Sequence, residues 1–228
     1  MHRRTFIAGA ALAAVGACSS GGGLVEPTGP AAPSPLPSPR PTGAELDEVL
    51  GHRRSVRAFT RDPVDEASIA HLLWAAQGVT APWGGRTAPS AGALYPIEVS
   101  VATSDGVRRF LPDEGGTVLL TPEDRRPRLA AATGGQQAAD LAPALFVLTA
   151  VLARASGKYG DRAERYVQLE AGHVCQNVLL EATAMGLGAV PLGAFSDDAV
   201  RDAIGVGDDE LPLYIVPVGH PSTEDPSR

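Results

Sequence analysis

Seven prolines fall between Pro27 and Pro41, and sixteen of the 25 residues from Ser19 to Gly43 are glycine, proline or serine. Proline fixes φ and offers no backbone N–H, so this stretch cannot sustain a helix or a central strand and is expected to run extended. That confines the fold to residues 44–221, enough chain for one compact domain and too little for two of ordinary size. The sequence is 44% hydrophobic and 20% charged, a balance that supports a packed core and excludes general disorder. Its net charge of −7 argues against a nucleic-acid partner. Two cysteines cannot build a disulfide framework. Lys158 is the only lysine among nineteen basic residues, so one ammonium group can be followed through the fold.

Residues 1–17 read as a processing segment. A basic start, Met1-His2-Arg3-Arg4-Thr5, precedes the apolar stretch Phe6 to Val15, which is shorter than the ~20 apolar residues a spanning helix needs. Arg3-Arg4-Thr5-Phe6-Ile7 resembles a twin-arginine export signal, and Val15-Gly16-Ala17-Cys18 resembles a lipobox whose cysteine carries lipid. An ordinary secretory signal with incidental arginines is the alternative. Residues 18–43 then form a tether, and the expected location is the outer face of the cytoplasmic membrane, with Cys18 as the lipidation site and the lipid as the sole membrane contact. Cys175 is left without an intramolecular partner in that case.

From Ala44 onward helical and strand patterns alternate. Asp65-Glu66-Ala67-Ser68 opens a helix, with Ile69, Leu72, Leu73 and Ala76 following at helical spacing. Ile97 to Thr103 alternates like a half-buried strand. Arg108–Leu111 and Thr117–Leu120 read as a hairpin around a Pro-Asp-Glu-Gly-Gly turn. A helix is expected over Glu123–Ala132, a buried strand over Ala144–Leu152, and a short helix over Asp197–Ile204 between strands at Ala189–Leu192 and Leu213–Val218. Asp161 to Gly186 is the longest helical pattern. Its apolar residues keep to no single stripe, which predicts burial on several faces. The class is α+β, with residues 222–228 as a polar tail.

Three segments carry chemistry. In His52-Arg53-Arg54-Ser55-Val56-Arg57, three guanidinium groups and a hydroxyl suit a phosphate monoester, because the guanidinium fork matches phosphate oxygens. A solvated basic helix end bonded to its own carbonyls is the alternative. In Gly84-Gly85-Arg86-Thr87-Ala88-Pro89-Ser90-Ala91-Gly92-Ala93-Leu94-Tyr95-Pro96, small residues let backbone approach a flat ligand; a structural turn ahead of the strand at Ile97 is the alternative. It is neither a Walker loop nor a dinucleotide fingerprint. The third segment comprises Lys158-Tyr159, Glu170-Ala171-Gly172-His173 and Gly186-Leu187-Gly188-Ala189-Val190-Pro191-Leu192-Gly193-Ala194. Histidines and cysteines show no zinc spacing, so no metal site is expected. His173 reads as a core histidine, and Trp74 and Trp83 as packing residues, with Trp83 alternatively at a pocket mouth.

In combination and in this order, these segments resemble the nitroreductase superfamily, in particular its SagB-type dehydrogenase branch, over residues 46–221. The resemblance implies a mixed sheet flanked by helices in an intertwined homodimer, with FMN in each interface cleft. It implies that Arg53, Arg54, Ser55 and Arg57 meet the phosphate and ribityl end. Pro89, Ser90, Ala91 and Gly92 would lie along the flavin, and Pro191, Leu192, Gly193 and Ala194 would pass its reactive edge. Lys158 and Tyr159 align with a pair that azoline oxidases of this branch use for proton removal. A lysine base needs a lowered pKa, and Arg162 is near enough in sequence to be the cation that lowers it. The basic residue that family members often place after the last strand is missing, leaving His220 or Arg228 as substitutes.

The expected activity is therefore FMN-dependent two-electron or hydride transfer to or from a small organic substrate, outside the membrane. A membrane quinol or redox partner would serve as reductant. The alternatives are azoline oxidation in modified peptides and a tethered, non-catalytic ligand-binding lipoprotein.

Overall fold

A computed structural model describes residues 32–223; the signal, Cys18, most of the tether and Arg228 lie outside them. Seven strands form one sheet in the order β1-β4-β3-β2-β5-β7-β6: β1 Ser34–Pro35, β2 Ile97–Thr103, β3 Gly106–Leu111, β4 Gly116–Thr121, β5 Ala144–Val151, β6 Gly188–Ala189 and β7 Glu210–Gly219. Every ladder is antiparallel, and the parallel pairing is reduced to an isolated bridge between Ser55 and Ala189. The helices are α1 Leu46–His52, α2 Glu66–Gln77, α3 Arg126–Ala132, α4 Gln137–Leu141, α5 Ala153–Tyr159, α6 Ala163–Ala184 and α7 Asp197–Ile204. None of the helices described is long and apolar enough to cross a membrane.

Strand β5 explains the layering. Ala144, Phe146, Leu148 and Ala150 alternate onto the face covered by α2 and α6, while Leu145 and Val147 turn to the face covered by α3, α4 and α7. A strand buried on both faces reads as a continuous apolar run, and this one does. Helix α2 starts where the sequence indicates, because the Asp65 carboxylate accepts from the Ser68 N–H at 2.9 Å and the Ser68 hydroxyl at 2.8 Å. Ser196 caps α7 in the same way, and Gly205 closes it in the left-handed conformation.

Helix α6 buries Val167, Ala171, Val174, Val178 and Ala182. His173 is a correction: it lies on the exposed side, beside Leu169 and Gln176. Trp83 is another. It is 77% exposed at the tip of a turn closed by the Gly84 N–H to Ala81 C=O bond, rather than packed. The tether expected to run free to Gly43 departs from that reading at its end. Ser34 and Pro35 pair with Thr117 and Gly116 on the outer edge of β4, and Leu36 packs on the core. Proline suits an edge strand, where one side needs no N–H, and the pairing removes an exposed sheet edge. The strand expected at Ala189–Leu192 is shortened to Gly188–Ala189, with Leu192 joined to Ile215 by a separate bridge.

Candidate functional site

The arginine segment and the segment after α6 meet. Ser55 bridges Ala189, the Val56 N–H donates to the Ala189 carbonyl at 3.1 Å, and a Cβ on Gly188 would lie 2.5 Å from the Val56 side chain. Glycine at 188 is thus what lets these strands approach. Arg53 caps the end of α1 with its backbone, and Arg54 donates to the Gly51 and Arg53 carbonyls at 3.0 and 2.9 Å. Arg57 donates to the Ser55 carbonyl at 3.1 Å. The helix-end reading and an anion-facing role coexist here, since each guanidinium carries five N–H donors. Pro191 and Leu192 are held by β7, through reciprocal bonds of 2.8 and 3.0 Å between Leu192 and Ile215. Gly193 and Ala194 then leave the sheet, exposed, and among the described residues their N–H groups have no protein acceptor. His220 and Pro221 return alongside Phe59 and Thr60, close in sequence to the arginines.

The turn at 89–96 builds a second group. Gly92, Ala93 and Tyr95 have φ of 64°, 53° and 44°, and the latter two are the only non-glycine residues with positive φ among those described. Each such residue costs about 1–2 kcal/mol, so the surrounding contacts must over-determine the turn. Tyr95 is gripped at three points. Its carbonyl accepts from Arg154 at 3.1 Å, its hydroxyl accepts the Arg86 N–H at 3.3 Å, and the Arg86 guanidinium sits 4.3 Å above its ring.

Lys158 and Tyr159, the last residues of α5, close on this turn. A Cβ at Gly92 would lie 2.7 Å from both the Lys158 Nζ and the Tyr159 hydroxyl oxygen. Tyr166 meets the Tyr159 ring edge-on at 4.9 Å, and its hydroxyl accepts from Arg162 Nε at 2.9 Å. Arg162 thus engages Tyr166, rather than Lys158 as expected.

Behind the turn, Ser90 donates to the buried Glu170 carboxylate at 2.5 Å. Burial pushes the Glu170 carboxyl above the ordinary range, against the opposing pull of the Ser90 hydrogen bond and the Arg86 charge. Glu170 Oε1, Gln77 Nε2 and Arg86 Nε are buried without a hydrogen-bond partner. Gln77 and Arg86 also line a cavity of about 340 Å³, together with Tyr95, Glu98, Asp113 and Arg154 among others.

The two groups are tied to different parts of α6. Glu170 lies in the first half of α6 and the arginine partner Gly188 follows its end; fourteen residues of helix separate Glu170 from Ala184, about 21 Å.

Residues 50–220 match the Nitroreductase family. The chain belongs to that family. A nitroreductase homologue from Methanocaldococcus jannaschii is 40% identical over 181 residues, covering 77% of this chain and 90% of the relative. A crystal structure of a nitroreductase homologue from Ralstonia eutropha superposes with a TM-score of 0.76 at 30% identity, over 87% of this chain and 99% of that one. One from Anabaena variabilis gives 0.70 at 28%, over 78% of this chain and 38% of a longer one. As a nitroreductase-family member the protein is an oxidoreductase. Sequence reasoning named all three segments that the fold gathers into these two groups. It assigned no role to Tyr166, Gln77 or Arg86, and none to Glu170 beyond its place in a motif. One signal was available: a carboxylate at position 170, flanked at helical spacing by the apolar Val167, Ala171 and Val174.

Proposed function

We propose that this nitroreductase-family oxidoreductase is an FMN-dependent dehydrogenase of the SagB type, working as a homodimer on a small organic substrate. The observation that supports this reading is a pair of half-sites tied to different parts of α6, one through Glu170 in its first half and one through Gly188 beyond its end. One offers guanidinium groups and the Gly193 and Ala194 N–H groups. The other offers a small-residue turn with Lys158 and Tyr159. Each is incomplete alone, and a two-fold partner would bring the first of one chain to the second of the other. Exposed Leu46 and Leu50 on α1 and Leu169 on the adjoining α6 supply apolar surface for that contact.

The fit to FMN rests on this donor set. Arg53, Arg54, Ser55 and Arg57 would hold the phosphate by charge-assisted bonds. Pro89, Ser90, Ala91 and Gly92 would flank the ring, with Pro191 and Leu192 fixing the approach of Gly193 and Ala194, whose N–H groups would donate to a ring nitrogen. No Cβ at Gly193 would meet another atom within 4 Å, so that approach is open. FMN, when bound, supplies two-electron redox chemistry at its ring. The chain's own part is to orient donor and acceptor and to hold or move a proton at Lys158 Nζ or the Tyr159 hydroxyl.

Purified protein is expected to carry flavin absorption at one FMN per chain. Protein that comes without flavin and does not quench added FMN would overturn the reading. The Lys158–Tyr159 contact at Gly92 favours one narrower version, substrate dehydrogenation of the azoline-oxidase kind. There Lys158→Ala should abolish turnover while flavin stays bound, and unchanged turnover would remove it.

The N-terminal motifs extend the proposal to export and lipidation at Cys18. Cys18→Ala should release the protein from membranes; a variant that stays membrane-bound would remove the anchor. An exported enzyme lacks a maintained NAD(P)H pool, so a quinol or a redox partner would serve as reductant. Rapid flavin reduction by NADPH with none by quinol or candidate substrates would count against that.

A further inference from the structure

The turn at 89–96 is held chiefly through one residue. The Ser90 carbonyl accepts the Ala93 N–H at 3.1 Å, and its Oγ accepts the Tyr95 N–H at 2.9 Å. The same Oγ donates to Glu170 Oε2 at 2.5 Å. Ser90 thus spans both ends of the left-handed stretch, and among the described residues its one outward bond goes to the Glu170 carboxylate of α6, which is 3% exposed. A buried carboxyl among apolar neighbours is costly unless its hydrogen bonds serve something.

The partners of α6 on either side make the role specific. Arg162, Tyr166 and Glu170 succeed one another at four-residue spacing and so share one face of the helix. Tyr166, held by Arg162, packs against Tyr159, while Glu170 holds Ser90. The same helix face therefore carries both sides of the close approach between Gly92 and the Lys158–Tyr159 pair. We infer that Glu170 is a positioning residue: by accepting the Ser90 hydroxyl it fixes the 89–96 turn in register with Lys158 and Tyr159. That the turn also walls a flavin rests on the reading under Proposed function; the positioning itself does not.

The test uses the full chain and four variants: Ser90→Ala, Glu170→Ala, Glu170→Gln and the Ser90→Ala/Glu170→Ala double. Two quantities are read, hydrogen exchange at the Tyr95 amide and the FMN dissociation constant from fluorescence quenching. Ser90→Ala and Glu170→Ala should each speed Tyr95 exchange and weaken FMN binding by about tenfold, the scale of one charge-assisted bond, while exchange in β5 stays unchanged. Glu170→Gln keeps an acceptor oxygen and should rescue both to within about threefold. The double variant should be no worse than the weaker single, because both remove one interaction. Wild-type Tyr95 exchange in folded Glu170→Ala overturns the inference, Ser90→Ala marking the upper limit because it removes that amide's own acceptor; if Glu170→Ala does not fold, Glu170→Met, of similar bulk and without an acceptor, takes its place and is read the same way. Additive effects in the double, or a well-folded Glu170→Gln that behaves like Glu170→Ala, overturn it as well. If the wild type takes no FMN, the functional reading falls, while Tyr95 exchange still decides for or against Glu170.

Discussion

Two buried polar assemblies, each with two side chains on the same cavity wall (Glu98 and Arg154 of one, Gln77 and Arg86 of the other), differ in completeness. In the first, Arg109 of β3 donates to both Glu210 oxygens at 3.0 and 2.8 Å and to Ser100 at 2.9 Å, and lies 3.4 Å from Glu98. Thr149 donates to Glu210 at 2.5 Å, and Arg154 pairs with Glu98. Four strands are joined, and none of these side chains holds a buried unpartnered atom. The second assembly, Ser90, Glu170, Gln77 and Arg86, holds three of the six such atoms found among the described residues. Native proteins leave few buried polar atoms unmatched, and those that remain call for an explanation. The contrast separates a network that carries the sheet from one that carries the site.

If that separation is right, breaking the first network should cost folding and spare binding. Arg109→Ala leaves Glu210 with only the Thr149 hydroxyl and no cation, while Glu98 keeps Arg154, and should destabilise the protein by about 3 kcal/mol in chemical denaturation. Arg109→Met keeps the packing and should lose less. On the proposed FMN-binding reading, protein that still folds should keep its affinity for FMN; a parallel loss of affinity in a folded Arg109→Met protein would merge the two assemblies.

Strain in the turn predicts a smaller effect with a built-in control. Gly92→Ala forces a side chain into the left-handed region against Lys158 and Tyr159, at a cost of about 1–2 kcal/mol. Gly157 lies inside α5 with no atom within 4 Å of a Cβ and no positive φ. Gly157→Ala should stabilise by about 0.4–1 kcal/mol through helix propensity and loss of unfolded-state freedom. Thermal melts of the pair should move in opposite directions. If both rise, the turn holds no strain at residue 92.

The same two assemblies mark what the sequence discloses. Elements governed by local periodicity were legible: the run Ala144–Leu152 gave a doubly buried strand, and Asp65 with Ser68 gave the start of α2. The motif segments were legible because their small residues and arginines are unusual in composition. The Arg109–Glu210 pair spans 101 residues of chain, and nothing in the spacing of either residue points to the other. Ser34–Pro35 escaped for a related reason, since composition shows that a proline-rich strand is extended but not which sheet edge it covers. His173 was misjudged because α6 does bury much of its surface, yet keeps one outer face for Leu169, His173 and Gln176.

The smallest predicted effect is also the most direct probe of the second assembly. Burial raises the Glu170 carboxyl above its ordinary value, and the Ser90 hydrogen bond and the Arg86 charge pull the other way. Because the causes oppose one another, the net dependence on pH should be modest. Its sign is fixed by linkage: the folded state holds the Glu170 proton more tightly than the unfolded chain does. The stabilisation is complete below the unfolded pKa and is lost as pH rises through the raised folded value. Glu170→Gln, which cannot ionise, should therefore gain stability relative to wild type as pH climbs from about 4 toward neutrality, most of it just above the ordinary carboxylate range. Parallel denaturation series on the two proteins measure this difference. If wild type gained on Glu170→Gln over that interval, the carboxylate would be better stabilised folded than unfolded. The three unpartnered atoms would then belong to a completed anion site like the Arg109 assembly, rather than to one left open for function.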